Sequence, residues 1–171
     1  MTSAELLLDG FDRVRGAVHE SVADLSPDDL TTRVDGSANS IAWLTWHLTR
    51  VQDDHLAGAF QRTQVWNDES WIERFGLPFD PADTGYGHSS GQVAAVRVDN
   101  PDLLTGYHDA THARTADLIA HVTDNDLEQV IDASWDPPTT LGVRLISVIA
   151  DGLQHAGQAA LIRGILLRRS A

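Results

Sequence analysis

Four long stretches of this chain repeat their apolar residues at the helical period, and no stretch alternates often enough to build a sheet; that pattern confines the fold to packed helices. The first stretch covers residues 3–23, with Leu6, Leu7, Phe11, Val14, Val18 and Val22 on one stripe. The second covers 40–62 and opens on Ser40, a good helix cap. The third, 101–122, starts behind Asp99 and Asn100, and the fourth, 140–168, follows the Pro137-Pro138 stop. Its closing arginines suit the negative end of a helix dipole. Ser26-Pro27-Asp28-Asp29 opens a short helical turn. Nearly forty residues rich in Gly, Pro and Asp separate the second and third stretches. Within them 69–75 reads as a short helix, and 89–98 as another helix or a strand. The expectation is one all-α domain over residues 1–171, a four-helix bundle with a long connection across one end.

Composition removes several chemistries. With no cysteine among 171 residues there is no disulfide, no thiolate ligand and no cysteine nucleophile. All twelve bases are arginine, which excludes a Schiff-base lysine and a P-loop lysine. The net charge of −13 repels phosphate backbones and anionic lipid, so neither nucleic acid nor membrane is an expected partner. Residues 1–5 lack the basic-then-apolar pattern of a signal peptide, and a cytoplasmic protein is the default expectation. There is no G-x-S-x-G elbow and no H-E-x-x-H, and Gly85-Tyr86-Gly87 is too short for a dinucleotide loop.

Eight histidines invite a metal reading. At roughly 100° per residue, Trp43, His47 and Asp54 fall within about 40° of one another, on an inward-facing stripe bordered by Leu44 and Val51. In the fourth stretch Asp151 and His155 are four apart and share a face. Leu145, Ile146, Val148, Ile149, Leu153, Leu161 and Ile162 make that stretch apolar nearly all round. A carboxylate and an imidazole there need a partner, because an unpaired buried charge is costly. One divalent ion held by His47, Asp151 and His155 supplies it: three protein ligands and an open position form the usual catalytic-zinc arrangement. The same set suits nickel, iron or manganese. The plain alternative is a hydrogen-bonded core pair.

His108 and His112 also stand four apart. The apolar stripe of the third stretch, through Leu104, Tyr107, Ala110, Thr111, Leu118 and Val122, turns them toward the rim, so they read as solvated. His19 and His121 read as surface residues. His55 lies about 80° from His47 by the same rotation and reads as surface or as support for the ligands. His88, in the connection, is a candidate to close over a site, with a plain turn as the alternative.

The segment Ser40-Ile41-Ala42-Trp43-Leu44-Thr45-Trp46-His47, followed by Asp151-Gly152-Leu153-Gln154-His155-Ala156-Gly157-Gln158, resembles the DinB/YfiT-like superfamily of metal-binding bundles. It is most similar to the branch containing mycothiol-dependent maleylpyruvate isomerase and mycothiol S-transferases. The resemblance covers nearly the whole chain; His155-Ala156-Gly157-Gln158 is its most specific piece. It implies an up-down-down-up bundle with the crossover between helices two and three. It also implies a metal held by a mid-helix histidine on helix two and by two ligands on helix four. Many members carry histidine where this chain has Asp151. Asp54 and Gln158 are expected to support the ligands.

A chain with no nucleophile of its own would borrow one: a coordinated thiol loses its proton and attacks a small electrophile. The expected activity is therefore a divalent-metal-dependent thiol S-transferase or isomerase, with zinc favoured and nickel allowed. Arginine-only usage fits a GC-rich, actinobacterial source and hence mycothiol as the thiol. A hydrolase using activated water is the second reading. A non-catalytic metal-binding bundle is the third. A homodimer is compatible with all three.

Overall fold

The computed structural model describes residues 1–169. Its elements, in chain order, are α1 (Ser3–Val22), α2 (Pro27–Thr31), α3 (Ile41–Phe60), α4 (Val65–Asp68), α5 (Trp71–Phe75), α6 (Ser90–Ala95), α7 (Pro101–Ile119), α8 (Asp124–Leu127), β1 (Val130–Asp132), β2 (Thr139–Thr140) and α9 (Leu141–Arg169). Helix starts follow local chemistry. Thr2 caps α1 and shares a capping box with Glu5, so the helix begins at Ser3, where the sequence pattern placed its start. The Ser40 hydroxyl accepts from Trp43 N–H at 3.1 Å, and the Asn100 side chain accepts from Asp102 N–H behind Pro101. Among the described residues, the one departure from the all-helical expectation is the two-stranded antiparallel ribbon β1–β2, which delivers the chain into α9.

The four long helices form a closed ring of neighbours: α1 on α9, α9 on α3, α3 on α7, and α7 on α1. Pairwise contacts give their directions. Gly10 packs on Ile149 and Gly152 on Val14, so α1 and α9 run parallel. His55 meets Arg144 while His47 lies by His155, so α3 opposes α9. Arg15 meets Asp109 and Asp12 meets His112, so α7 opposes α1. The order is up-down-down-up. No helix among the described residues is long and apolar enough to cross a membrane.

Two apolar clusters hold this frame. Phe11, Val14, Val18, Leu48, Leu145, Val148 and Ile149 fill one, among α1, α3 and α9. The other lies under the connection and is aromatic: Trp46, Trp66, Trp71, Phe75 and Tyr107 pack with ring centroids 5.1–6.5 Å apart where they meet. Each such ring removes about 150–250 Å² from water, so the connection is pinned to the bundle as part of its core.

A polar stripe lies between α3 and α7, where Thr45, Thr49, Gln52, His108, Thr111 and Thr115 are all buried. This corrects the rim placement of His108: it is fully buried, with Nδ1 3.1 Å from Thr49 Oγ1. The stripe of α7 was misjudged because its inward face carries threonines and a histidine where apolar residues are the usual marker. His112 is mostly covered and pairs with Asp12 at 2.8 Å, and His19 pairs with Asp109 at 2.8 Å; His121 is exposed.

Candidate metal centre

α3 and α9 bring three of the sequence candidates together. One donor atom from each of His47, Asp151 and His155 lies within 4.8 Å of the others, a triad that can hold a metal ion. His47 occupies the middle of α3, 6% exposed, with Trp43 one turn earlier stacked on its ring at 4.6 Å and 15°. Asp151 and His155 stand one turn apart on α9, half-buried, with His155 Nε2 3.5 Å from Asp151 Oδ1.

Hydrogen bonds at Nδ1 orient both candidate histidines. His47 Nδ1 lies 2.5 Å from the Thr84 carbonyl oxygen, which can only accept; the proton is therefore on Nδ1 and the Nε2 lone pair is available. His155 Nδ1 lies 3.2 Å from Gln158 Oε1, which fixes the same tautomer. Backing of this kind is how metal-ligating histidines are oriented. Asp151 Oδ2 is buried with no hydrogen-bond partner, the kind of orphan a cation would satisfy. The donor set is two imidazoles and a carboxylate, so residues and metal fit.

Electrostatics agree. Burial pushes His47 below the usual histidine range, which keeps it neutral. The hydrogen bond to Asp151 raises His155. Burial alone would raise Asp151, but the hydrogen bond and charge of His155 outweigh it and hold the carboxyl below its usual range. An acid–base pair of this kind gives up the His155 proton when an ion enters.

The Thr84 carbonyl is delivered by the connection, which sequence reasoning treated only as a cover. Arg50, fully buried in α3, donates from Nε to the Asp83 carbonyl at 3.2 Å and from Nη1 to Gln64 Oε1 at 2.8 Å and Tyr107 Oη at 3.2 Å. The Asp83 carboxylate accepts from Gly85 N–H at 2.7 Å and from His88 Nε2 at 3.0 Å. His88 Nδ1 in turn accepts the Trp43 indole N–H at 3.1 Å. His88 thus reaches the centre through Trp43, with its side chain buried. Gly85 has φ +92°, and a Cβ there would stand 2.9 Å from His47 Nδ1, so only glycine lets the backbone come this close. Asp53, beside Arg50 in sequence space but unremarked there, caps α4 by accepting from Val65 and Trp66 N–H at 2.9 and 2.8 Å.

A cavity of about 570 Å³ opens beside Asp151. α3 gives it Asp54 and His55, the connection Thr84 and Tyr86, the ribbon Trp135 and Thr139, and α9 Arg144 and Ser147. Asp54 accepts from Gln64 Nε2 at 2.7 Å; its hydrogen bond goes to the connection and not to a ligand. Arg144 donates to His55 Nδ1 at 2.8 Å, and since a guanidinium only donates, the His55 proton is on Nε2. Sequence reasoning found neither Thr84, a backbone group, nor Arg144, whose partner lies 89 residues away.

A family model described as mycothiol-S-transferase matches residues 6–167. Among solved structures, the chain is similar to one titled as the conserved protein of a locus from Enterococcus faecalis. The two are 29% identical over 95% of this chain and 96% of that one, with a TM-score of 0.89. No curated protein matches.

Proposed function

The chain belongs to the mycothiol S-transferase family, and on that premise we propose that it joins the sulfur of mycothiol to a small electrophile at a divalent metal held by His47, Asp151 and His155. The observation that carries this reading is the buried, unpartnered Asp151 Oδ2 beside two histidines, each backed at Nδ1 by an oxygen acceptor. The ion, zinc in the first instance, would supply Lewis acidity, holding a coordinated thiol as its thiolate at neutral pH. The chain's own groups do the rest. Trp43 and the Thr84 carbonyl fix the plane and tautomer of His47. Gln158 does the same for His155. Arg144, His55 Nε2–H, Ser147 and Thr139 offer polar contacts along the cavity, and Trp135 and Tyr86 flank it with apolar rings. With no cysteine and no lysine in the chain, the nucleophile comes from the co-substrate. A cytoplasmic setting, where such a thiol stays reduced, suits the reading.

The assay mixes metal-loaded protein with mycothiol and monochlorobimane. The thiol proton leaves to solvent, a sulfur–carbon bond forms on the bimane, and chloride departs. Turnover is expected to require both metal and thiol. Asp151→Ala is expected to abolish it together with metal binding, and Asp151→His to retain it. Metal-dependent hydrolysis of an ester without thiol would replace this reading with the activated-water hydrolase. Full metal occupancy without turnover on any thiol and electrophile pair would leave a non-catalytic bundle.

A further inference from the structure

The apolar run that makes α9 read as buried all round in sequence is, on one side, exposed. Its inward face is Leu141, Leu145, Val148, Ile149, Gly152, Ala156, Ala159, Ile162 and Leu166. A second stripe follows its own three-four spacing on the outside: Val143, Ile146, Ala150, Leu153, Gly157, Ala160, Gly164 and Leu167. Val143, Ile146, Leu153 and Leu167 are each 41–56% exposed, and Leu161 beside them is 64% exposed. Three-four spacing sustained over more than three heptads is the pattern of a helix that packs on another helix, and the described residues provide no partner for this face.

We propose that the partner is a second copy of this chain, docked with its α9 antiparallel to the first across a twofold axis near His155. The stripe is self-complementary in that direction. Val143 comes opposite Leu167, Ile146 opposite Gly164, Ala150 opposite Ala160, and Leu153 opposite Gly157. Each large side chain but the outermost pair meets a glycine, and the alanines meet each other, so the two surfaces interlock without collision. A twofold axis demands this property of an interface, the same patch serving on both sides.

Charge selects the same arrangement. In a chain with 25 acids, residues 141–169 contain one, Asp151, against Arg144, Arg163, Arg168 and Arg169. This is the face on which two copies can meet without acid facing acid. Antiparallel packing sets the exposed Arg168 and Arg169 of each copy beside the other's ribbon turn, which carries exposed Asp136, and it opposes the helix dipoles favourably. Parallel packing would set the arginines against each other. Val143 also lines the cavity, so Leu167 of the second copy becomes part of its rim.

Equilibrium sedimentation of the full chain tests the proposal. The expected mass is twice the 18.6 kDa of one chain. The double variant Ile146→Glu with Leu161→Glu is expected to sediment as a monomer with unchanged far-ultraviolet circular dichroism and unchanged zinc stoichiometry. Orientation is read by cross-linking, for which the cysteine-free chain is convenient. An oxidised mixture of Ala150→Cys and Ala160→Cys chains is expected to form the mixed disulfide. Each variant alone is expected to form none, because its two sulfurs lie about 15 Å apart at 1.5 Å per residue, beyond the roughly 7 Å limit for Cα atoms in a disulfide. A monomer at all concentrations overturns the proposal. So does a dimer that survives the double variant, or one in which each cysteine variant cross-links to itself.

Discussion

At the scale of single residues, the site depends on a backbone contact. His47 is useful as a ligand only while Nδ1 keeps its proton, and the Thr84 carbonyl enforces that. Gly85 permits the approach: a methyl group there would collide with the imidazole and with Trp46, on a backbone at positive φ that alanine resists. Gly85→Ala is therefore expected to weaken zinc affinity about 10- to 100-fold, the usual range for losing a group that orients a ligand. The melting temperature of the metal-free protein should change much less, which a chelator-competition titration beside a thermal melt would verify. Equal losses in both would mean that Gly85 serves the fold alone.

His108 makes a second residue-scale prediction, independent of metal. Burial, then the charges of His112 and its neighbours, pushes it from 6.5 down to about 3. The unfolded chain takes up this proton near 6.5 and the folded chain does not. The stability is thus full above that pH and is lost as pH falls toward about 3, by up to about 1.4 kcal/mol per unit. Urea unfolding of the wild type and His108→Gln at pH 7 and at about pH 5 measures the difference. A slope that His108→Gln leaves unchanged would place the titration elsewhere.

At the scale of elements, the helices were legible because their burial is periodic and their caps are local. Ser40 and Asn100 stand at the starts of α3 and α7, and the fourth stretch begins within a residue of α9. The convergence of His47, Asp151 and His155 was legible for a related reason: polar groups inside apolar helical faces ask for a partner. What was not legible depends on contacts distant in sequence. The connection reads as Gly-, Pro- and Asp-rich chain with at most two short elements, yet Trp66, Trp71, Phe75, Val93 and Val96 bury it against Tyr107 and Leu104. Arg50 looks like any helix arginine until its carbonyl partners, more than thirty residues on, come back over it. The inward face of α7 was misjudged because threonines pack there as well as leucines would. Arg50→Met keeps the bulk of that side chain while removing its donors to Asp83 and Gln64. It is expected to raise hydrogen exchange across residues 81–88 and to lower metal affinity without unfolding α3. Unchanged exchange in that segment would show that the aromatic cluster holds the connection unaided.

At the scale of the whole molecule, the proposed ligands come from α3 and α9, the two helices that flank the cavity, so an ion held there would tie them together. An ion bound only by the folded chain adds stability by mass action, about 2.7 kcal/mol at a hundred times its dissociation constant. The measurement that bears most directly on this account is a zinc titration of the metal-free protein, monitored by calorimetry, in parallel with His47→Ala, His155→Ala and His108→Ala. The account predicts one site per chain, lost in the first two variants and kept in the third, with affinity falling as His155 is protonated at acid pH. Binding that survives His47→Ala and disappears in His108→Ala would contradict it.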